Sequence, residues 1–141
     1  MPEYLTSATV LASPERVWAV LADGAAYGDW NPEIVAVEGE LASGARITAR
    51  VRLGDGAVRA VAQRVVAFDP PHRMEWLGGL PFGLFVGRRT LTLTPLANGV
   101  EFRMHLRMSG PMARMILKSI GDRQPEIDRF AAALKRRAES G

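Results

Sequence analysis

The amino-acid sequence predicts an α+β fold that consists of one strand, two short helices, a long antiparallel sheet and a final helix. Three observations support this order: a helix start near residue 13, alternating apolar runs between residues 34 and 108, and helical periodicity from residue 112 to 134. A chain of 141 residues corresponds to a single domain, residues 1–141. A layout of this kind encloses a cavity between sheet and helix, and we expect any function to lie there.

A strongly marked helix start follows the first predicted strand, residues 5–11. Ser13 is a favourable N-cap because its hydroxyl can accept a hydrogen bond from an early helical N–H. Pro14 suits the first helical position, and Trp18 falls on the apolar face of the helix, where we expect it to be structural core. Residues 27–31 are long enough for only one further turn. The sequence therefore predicts two short helices before the second strand.

The antiparallel sheet is predicted from alternating apolar and polar residues. On the last strand, Met104 and Leu106 fall on the face that is expected to be buried, and His105 falls on the face that is expected to be exposed to solvent. Residues 78–85 are too rich in Gly and Pro for a regular element, so they are expected to form an apolar loop that is either a plug or a mobile lip. The later strands are predicted at residues 34–40, 46–53, 57–68, 73–77, 87–95 and 100–108.

The final helical segment contains one proline at an unfavourable position. Pro125 lies within the helical periodicity, and its ring would clash with the carbonyl of Gly121. The sequence therefore predicts a kink at residues 121–125, or two helices in line.

Composition excludes some classes of function. The chain has no cysteine, which removes disulfides and thiol nucleophiles and favours a cytoplasmic location. No signal peptide is expected at the N-terminus, and no apolar run reaches the length of a membrane span. A mild net charge of +3 does not favour nucleic-acid binding. The residue pattern predicts neither a metal site nor a cofactor, and it leaves a homodimer open.

Several motifs together resemble the START/Bet v 1-like (SRPBCC) superfamily, in particular its small bacterial polyketide cyclase/dehydrase-like members. The resemblance implies a helix-grip fold, in which a curved antiparallel sheet of six or seven strands wraps around a long C-terminal helix. Two short helices would join strands 1 and 2, and an apolar cavity would lie inside. The matching motifs are Ala-Ser-Pro-Glu-Arg-Val-Trp at 12–18, Trp-Asn-Pro at 30–32, Phe-Asp-Pro-Pro-His-Arg-Met-Glu-Trp at 68–76, Gly-Val-Glu-Phe at 99–102, and the C-terminal helix.

Candidate ligand-binding residues are apolar side chains expected on the cavity wall or at its rim. Methionines suit such a wall because they adapt to irregular partners, although ordinary core packing explains them as well. The predicted residues are Trp30, Trp76, Phe82, Phe85, Leu91, Met104, Leu106, Met108, Met112, Met115 and Ile116.

Few polar groups are expected inside this cavity. The inward positions on the last strand carry Met104 and Leu106, so no acid or base is evident there, and both His72 and His105 are expected at the surface. An arginine could enter the cavity only if a bulge turned it inward, and rim candidates also exist. These polar candidates are Arg59, Arg64, Arg88 and Arg89 on the strands, and Tyr27, Asp29 and Asn31 at the rim.

Two functions remain open at the level of sequence. One is binding of a small hydrophobic molecule, such as a lipid, a polyketide or an aromatic metabolite, in the internal cavity. The alternative is an enzyme of the polyketide cyclase/aromatase kind that uses the same cavity, for which no catalytic residue can be named. A buried ionisable side chain with a shifted pKa would favour the second function.

Overall fold

The computed structural model describes residues 3–140 and shows the predicted α+β architecture. The seven strands and three α-helices of these residues are accompanied by two short 3-10 turns, Gly24–Asp29 and Pro81–Gly83. In chain order the elements are β1 (Glu3–Val10), α1 (Pro14–Ala22), β2 (Ile34–Glu38), β3 (Arg46–Arg52), β4 (Val58–Asp69), β5 (Arg73–Leu80), β6 (Phe85–Leu96), β7 (Gly99–Ser109), α2 (Ala113–Ile120) and α3 (Gln124–Glu139).

All seven strands form one antiparallel sheet in the order β1-β7-β6-β5-β4-β3-β2. Helix α1 and the first 3-10 turn connect β1 to β2, the two strands at opposite edges of the sheet. Helix α3 packs against β1, β7 and α1 and buries Ile127, Phe130 and Leu134. A curved sheet around a C-terminal helix is the helix-grip arrangement, so the predicted fold is confirmed.

The first helix begins as its sequence predicts. Ser13 Oγ accepts a hydrogen bond of 3.1 Å from the backbone N–H of Arg16, and Pro14 occupies the first helical position. Trp18 is buried beneath the helix and packs edge-on against Phe68, with ring centroids 5.4 Å apart. Trp18 is therefore part of the structural core, as expected.

The C-terminal helical segment is interrupted where the proline predicts an interruption. Helix α2 ends before Gly121, whose φ of 83° lies in the left-handed region that favours glycine. Pro125 lies in the first turn of α3, where a missing N–H has no cost. The apolar periodicity therefore continues through two separate helices and not through one long helix.

The segment at residues 78–85 is more regular than its composition suggests. Strand β5 continues to Leu80 and β6 begins at Phe85, so the expectation of an irregular loop is wrong. Gly78 and Gly79 belong to β5, and the strand needs glycine at position 78 because a Cβ there would lie 2.8 Å from the carbonyl oxygen of Ala62. Only Pro81–Gly83 remains as a turn at the tip of this β5–β6 hairpin.

Candidate functional site

A cavity of about 520 Å³ lies between the inner face of the sheet and helix α2. Its wall is formed by β3 to β7, the β5–β6 hairpin and one face of α2. Most lining side chains are apolar, and the charged ones are one glutamate and three arginines. The apolar lining includes Val51, Leu53, Val61, Leu80, Phe85, Leu106, Met108, Met112, Ile116 and Ile120, and the charged residues are Glu33, Arg59, Arg89 and Arg123.

Five of the predicted ligand-binding residues line this cavity: Phe85, Leu106, Met108, Met112 and Ile116. The strand residues reach it because inward positions on β7 alternate with outward ones. Met112, the N-cap of α2, and Ile116 reach it because they are four positions apart and lie on the same face of the helix. Their contact with a ligand remains a prediction.

Three further predicted residues face inward but are buried in the packed core and do not line the cavity. Trp76 and Met104 have no exposed surface, and Leu91 is 1% exposed. Their strand parity was interpreted correctly, but the cavity occupies only one end of the inner face of the sheet. Trp30 is half-buried and packs against Tyr27, so it too is absent from the wall.

The remaining two predicted residues point away from the cavity. Phe82 is 99% exposed at the tip of the hairpin, with a φ of 61°. Met115 is 59% exposed because it lies on the outer face of α2, beside the inward-facing Ile116. The prediction that Phe82 lines the mouth of the cavity is therefore wrong, and so is the prediction that Met115 lines its wall.

An aromatic cluster fills the inner space beyond the cavity. Phe130 of α3 stacks on Phe102 with centroids 5.9 Å apart and meets Trp30 edge-on at 5.6 Å. Tyr27 stacks on Trp76 at 6.3 Å, and its hydroxyl donates a 2.6 Å hydrogen bond to the carbonyl oxygen of Leu21. Burial raises the pKa of Tyr27 far above its usual value, although the nearby Arg89 opposes this. The phenol is therefore neutral and unsuited to proton transfer near neutral pH.

A buried ion pair lies where the aromatic cluster meets the cavity. Arg89 donates two hydrogen bonds of 2.7 Å to Glu33, one from each terminal nitrogen to each carboxylate oxygen. The side chains are 5% and 0% exposed, respectively. The guanidinium also lies 6.0 Å from the ring of Trp76 and 5.9 Å from that of Phe130. This bidentate geometry holds both side chains in one orientation.

A second arginine shares the same carboxylate. Arg123, whose side chain is 2% exposed, donates a 3.2 Å hydrogen bond from Nη2 to Glu33 Oε2. Burial alone would raise the pKa of Glu33, but the two guanidinium groups outweigh it and lower that pKa below its usual value. Glu33 is therefore a firmly ionised carboxylate.

Some N–H groups of this Glu33–Arg89–Arg123 cluster have no protein acceptor. Among residues 3–140, neither Arg89 Nε nor Arg123 Nη1 has a hydrogen-bond partner, although both atoms are buried. Glu126 Oε2 lies 3.9 Å from Arg123 Nη1, which is too far for a hydrogen bond. Buried donors of this kind carry a free-energy cost unless another group accepts from them.

Local sequence explains how Glu33 and Arg89 are positioned. Asn31 Oδ1 accepts hydrogen bonds of 2.9 Å from the backbone N–H groups of Glu33 and Ile34, which fixes the chain where it enters β2. Arg89 lies two residues before Leu91 on β6 and pairs with Leu106 of β7. Arg89 therefore faces inward by plain alternation, and the bulge that we expected to be necessary is absent from this pair of strands.

The cavity wall contains an acid that was not expected, Glu33, together with Arg89, one of the arginines that we considered. Arg89 could have been found from its parity with Leu91, because both side chains lie on the inner face of β6. Glu33 and Arg123 lie in irregular segments next to β2 and α3, where no periodicity indicates burial. Of the other strand arginines that we considered, Arg88 pairs with Glu75 on the outer face and Arg64 is exposed outside the cavity wall, whereas Arg59 is exposed and lines the cavity. Both histidines are also outside the cavity, as predicted: His72 is exposed, and His105 lies 3.2 Å from Glu3.

Comparison with known proteins identifies related folds. The family model described as "Polyketide cyclase / dehydrase and lipid transport" matches residues 1–139. Similar solved structures include a START superfamily protein from Mycobacterium smegmatis, 19% identical over 98% of this chain and 97% of that one, with a TM-score of 0.73.

Two further solved structures share the fold at similar distance. A protein from Mesorhizobium loti is 21% identical over 96% of this chain and 95% of that one, with a TM-score of 0.73. A hypothetical protein from Helicobacter pylori is 14% identical over 97% and 88%, respectively, with a TM-score of 0.78. No curated protein matches the chain by sequence. Within residues 3–140, no helix has the length and apolar character needed to span a bilayer.

Proposed function

The chain belongs to the polyketide cyclase/dehydrase and lipid transport family, and we propose that its cavity binds a small hydrophobic molecule. The observation that carries this proposal is a cavity of about 520 Å³ with a mostly apolar wall, next to a core that is otherwise filled by aromatic rings. Ligand pockets commonly have this size and this combination of an apolar wall with a few polar groups.

Burial of apolar surface would provide the affinity. Leu106, Met108 and Ile116 offer flexible or branched aliphatic groups on opposite sides of the cavity. Each Å² of apolar surface removed from water contributes roughly 25 cal/mol before the entropic costs of binding are subtracted. Methionines on two elements allow the wall to adapt to ligands of different shape.

Helix α2 is the element best suited to admit a ligand. Ala113 is its only buried residue among the described positions, and Met112 and Ile116 are half-buried over the cavity. The break at Gly121 separates this helix from the well-packed α3. Few buried contacts correspond to a low free energy of local opening, so α2 can move without disturbing the core.

The ionisable groups of the site favour binding over catalysis. A general acid or base works best with a pKa near the working pH. Glu33 is held ionised by two arginines, and Tyr27 is held neutral by burial. The pKa of each group is shifted away from neutral pH, so neither is suited to acid–base catalysis there. We therefore propose ligand binding and not polyketide cyclisation as the function of this cavity.

Two adjacent substitutions on α2 test this proposal. Ile116→Arg places a charge in the cavity, whereas Met115→Arg places the same charge on the exposed face of the same helix turn. Titration of an apolar fluorescent probe is expected to show at least about 10-fold weaker binding to Ile116→Arg, because burying an unpaired charge is costly. Met115→Arg is expected to bind like the unmodified chain. Equal binding by both variants, with circular dichroism showing both folded, would contradict the site.

A further inference from the structure

We infer that the bound molecule is an amphipathic carboxylic acid, whose carboxylate binds Arg123 at the inner end of the cavity while its apolar chain extends towards α2 and the β5–β6 hairpin. This inference rests on the proposed function, since it specifies the ligand of the same cavity. It is carried by Arg123, a cavity-lining side chain that is 2% exposed and has a buried Nη1 without a partner among residues 3–140.

The hydrogen-bonding capacity of the Glu33–Arg89–Arg123 cluster is only partly used. Glu33 accepts from both terminal nitrogens of Arg89, and Arg123 contributes Nη2 alone. Arg123 Nη1 and Arg89 Nε therefore remain as buried donors. Glu126 Oε2 is also buried and unpartnered, but at 3.9 Å it is too far to accept a hydrogen bond from Arg123 Nη1. A ligand carboxylate would match a guanidinium best in both shape and charge.

The charges around the cavity also favour an anion. Glu33 is outnumbered by Arg59, Arg89 and Arg123 among the lining residues. Glu126 is the nearest further acid, but its Oε2 lies 3.9 Å from Arg123 Nη1 and Glu126 Oε1 lies 3.8 Å from the exposed Arg129. When Glu126 is included, the three arginines still outnumber the two glutamates by one, and the unbalanced charge is that of Arg59, the exposed member of the lining.

The polar and apolar parts of the lining are separated along the cavity. Arg89 and Arg123 lie next to the aromatic cluster, where side chains are almost fully buried. Leu80, which is 42% exposed, lies at the hairpin end, and Met112 is the N-cap residue of α2. A ligand with one charged head and one apolar tail matches this polarity, and the head enters first.

Decanoate and decanol test the inference on the unmodified chain, because they share an apolar tail and differ in the head group. Displacement of the apolar fluorescent probe at pH 7.5 is expected to show decanoate binding about 10-fold or more tightly than decanol, since hydrogen bonds to charged groups are the stronger ones. Binding of decanol that equals or exceeds that of decanoate would overturn the inference while leaving the proposed function intact. Failure of the probe and both compounds to bind would overturn both.

Two charge-removing variants on the same segment assign the preference to Arg123. Arg123→Met is expected to reduce the preference for decanoate to about 1-fold, with decanol binding retained. Arg129→Met is the matched control, because Arg129 is exposed and lies outside the cavity wall. An unchanged preference in folded Arg123→Met, or an equal loss in Arg129→Met, would overturn the role of Arg123. If Arg123→Met does not fold, the comparison of decanoate with decanol on the unmodified chain still decides the ligand class.

Discussion

Adjacent residues of β6 form ion pairs with glutamates on opposite faces of the sheet. Arg89 meets Glu33 inside, where the two side chains are 5% and 0% exposed. Arg88 meets Glu75 outside at 3.2 Å, and its own side chain is 44% exposed. The residue types are the same, but both members of the inner pair are isolated from water, whereas the outer pair joins an 11% exposed Glu75 to a well-exposed Arg88.

The difference shows that position, and not residue type, decides what an ion pair does in this molecule. On the outer face, Glu75 is also contacted by the exposed Arg73 and by the hydroxyl of Thr90, so loss of one partner leaves two others. On the inner face, each lost partner leaves an uncompensated buried charge. The inner pair therefore fixes the structure of the site, while the outer pair contributes little.

The largest expected effect is the loss of the inner carboxylate. Glu33→Ala leaves Arg89 and Arg123 buried without their shared partner, and we expect a decrease in the free energy of unfolding of about 3–5 kcal/mol. Glu75→Ala, the outer counterpart, is expected to decrease it by only about 1 kcal/mol. Urea denaturation followed by circular dichroism measures both. Equal decreases would show that the environments of the two carboxylates are not energetically distinct.

A smaller effect is expected when one of the paired arginines is removed. Arg89→Met leaves Glu33 with Arg123 as its remaining partner, so the expected decrease in unfolding free energy is about 2–3 kcal/mol. Arg88→Met leaves Glu75 with Arg73 and Thr90 as partners and is expected to cost less than about 1 kcal/mol. Thermal unfolding of the two variants provides the comparison, and a larger loss from Arg88→Met would reverse our ranking of the two faces.

The pH dependence of stability provides the smallest and most selective effect. The pKa of Glu33 is lowered in the folded chain, so its stabilising contribution is complete above the usual value of 4.5 and is lost as the pH falls through the folded pKa. The gap in unfolding free energy between the unmodified chain and Glu33→Gln is therefore expected to be constant near pH 7 and to shrink on acidification below about 4.5. Glu75→Gln is expected to show the same direction with a smaller gap. A Glu33→Gln gap that widens at low pH would contradict the assigned direction.

The sequence predicts those parts of the fold that have a regular period or a local signal. Ser13 and Pro14 mark the start of α1, and alternation on β7 correctly places Leu106 and Met108 inside. Pro125 correctly indicates the interruption before α3. These features depend on neighbours along the chain, so that the sequence contains the information directly.

The ionic part of the site depends on contacts between distant residues. Glu33 and Arg123 are 90 positions apart and meet only when the sheet curves around α3. The apolar wall was predicted only in part, because strand parity distinguishes inside from outside but does not show how far the aromatic cluster fills the interior. Trp76 and Met104 illustrate this, since both face inward but are buried in the packed core and do not reach the cavity.

Methionine methyl NMR tests the central claim, ligand binding in this cavity, most directly. With ¹³C-methyl methionine, titration with the neutral ligand decanol should shift the signals of Met108 and Met112, which line the cavity. The signals of the fully buried Met74 and the exposed Met115 should change little. Saturable shifts at Met108 and Met112 are the result that we expect. Shifts confined to Met115, or no saturable shift at Met108 and Met112, would contradict binding in the cavity.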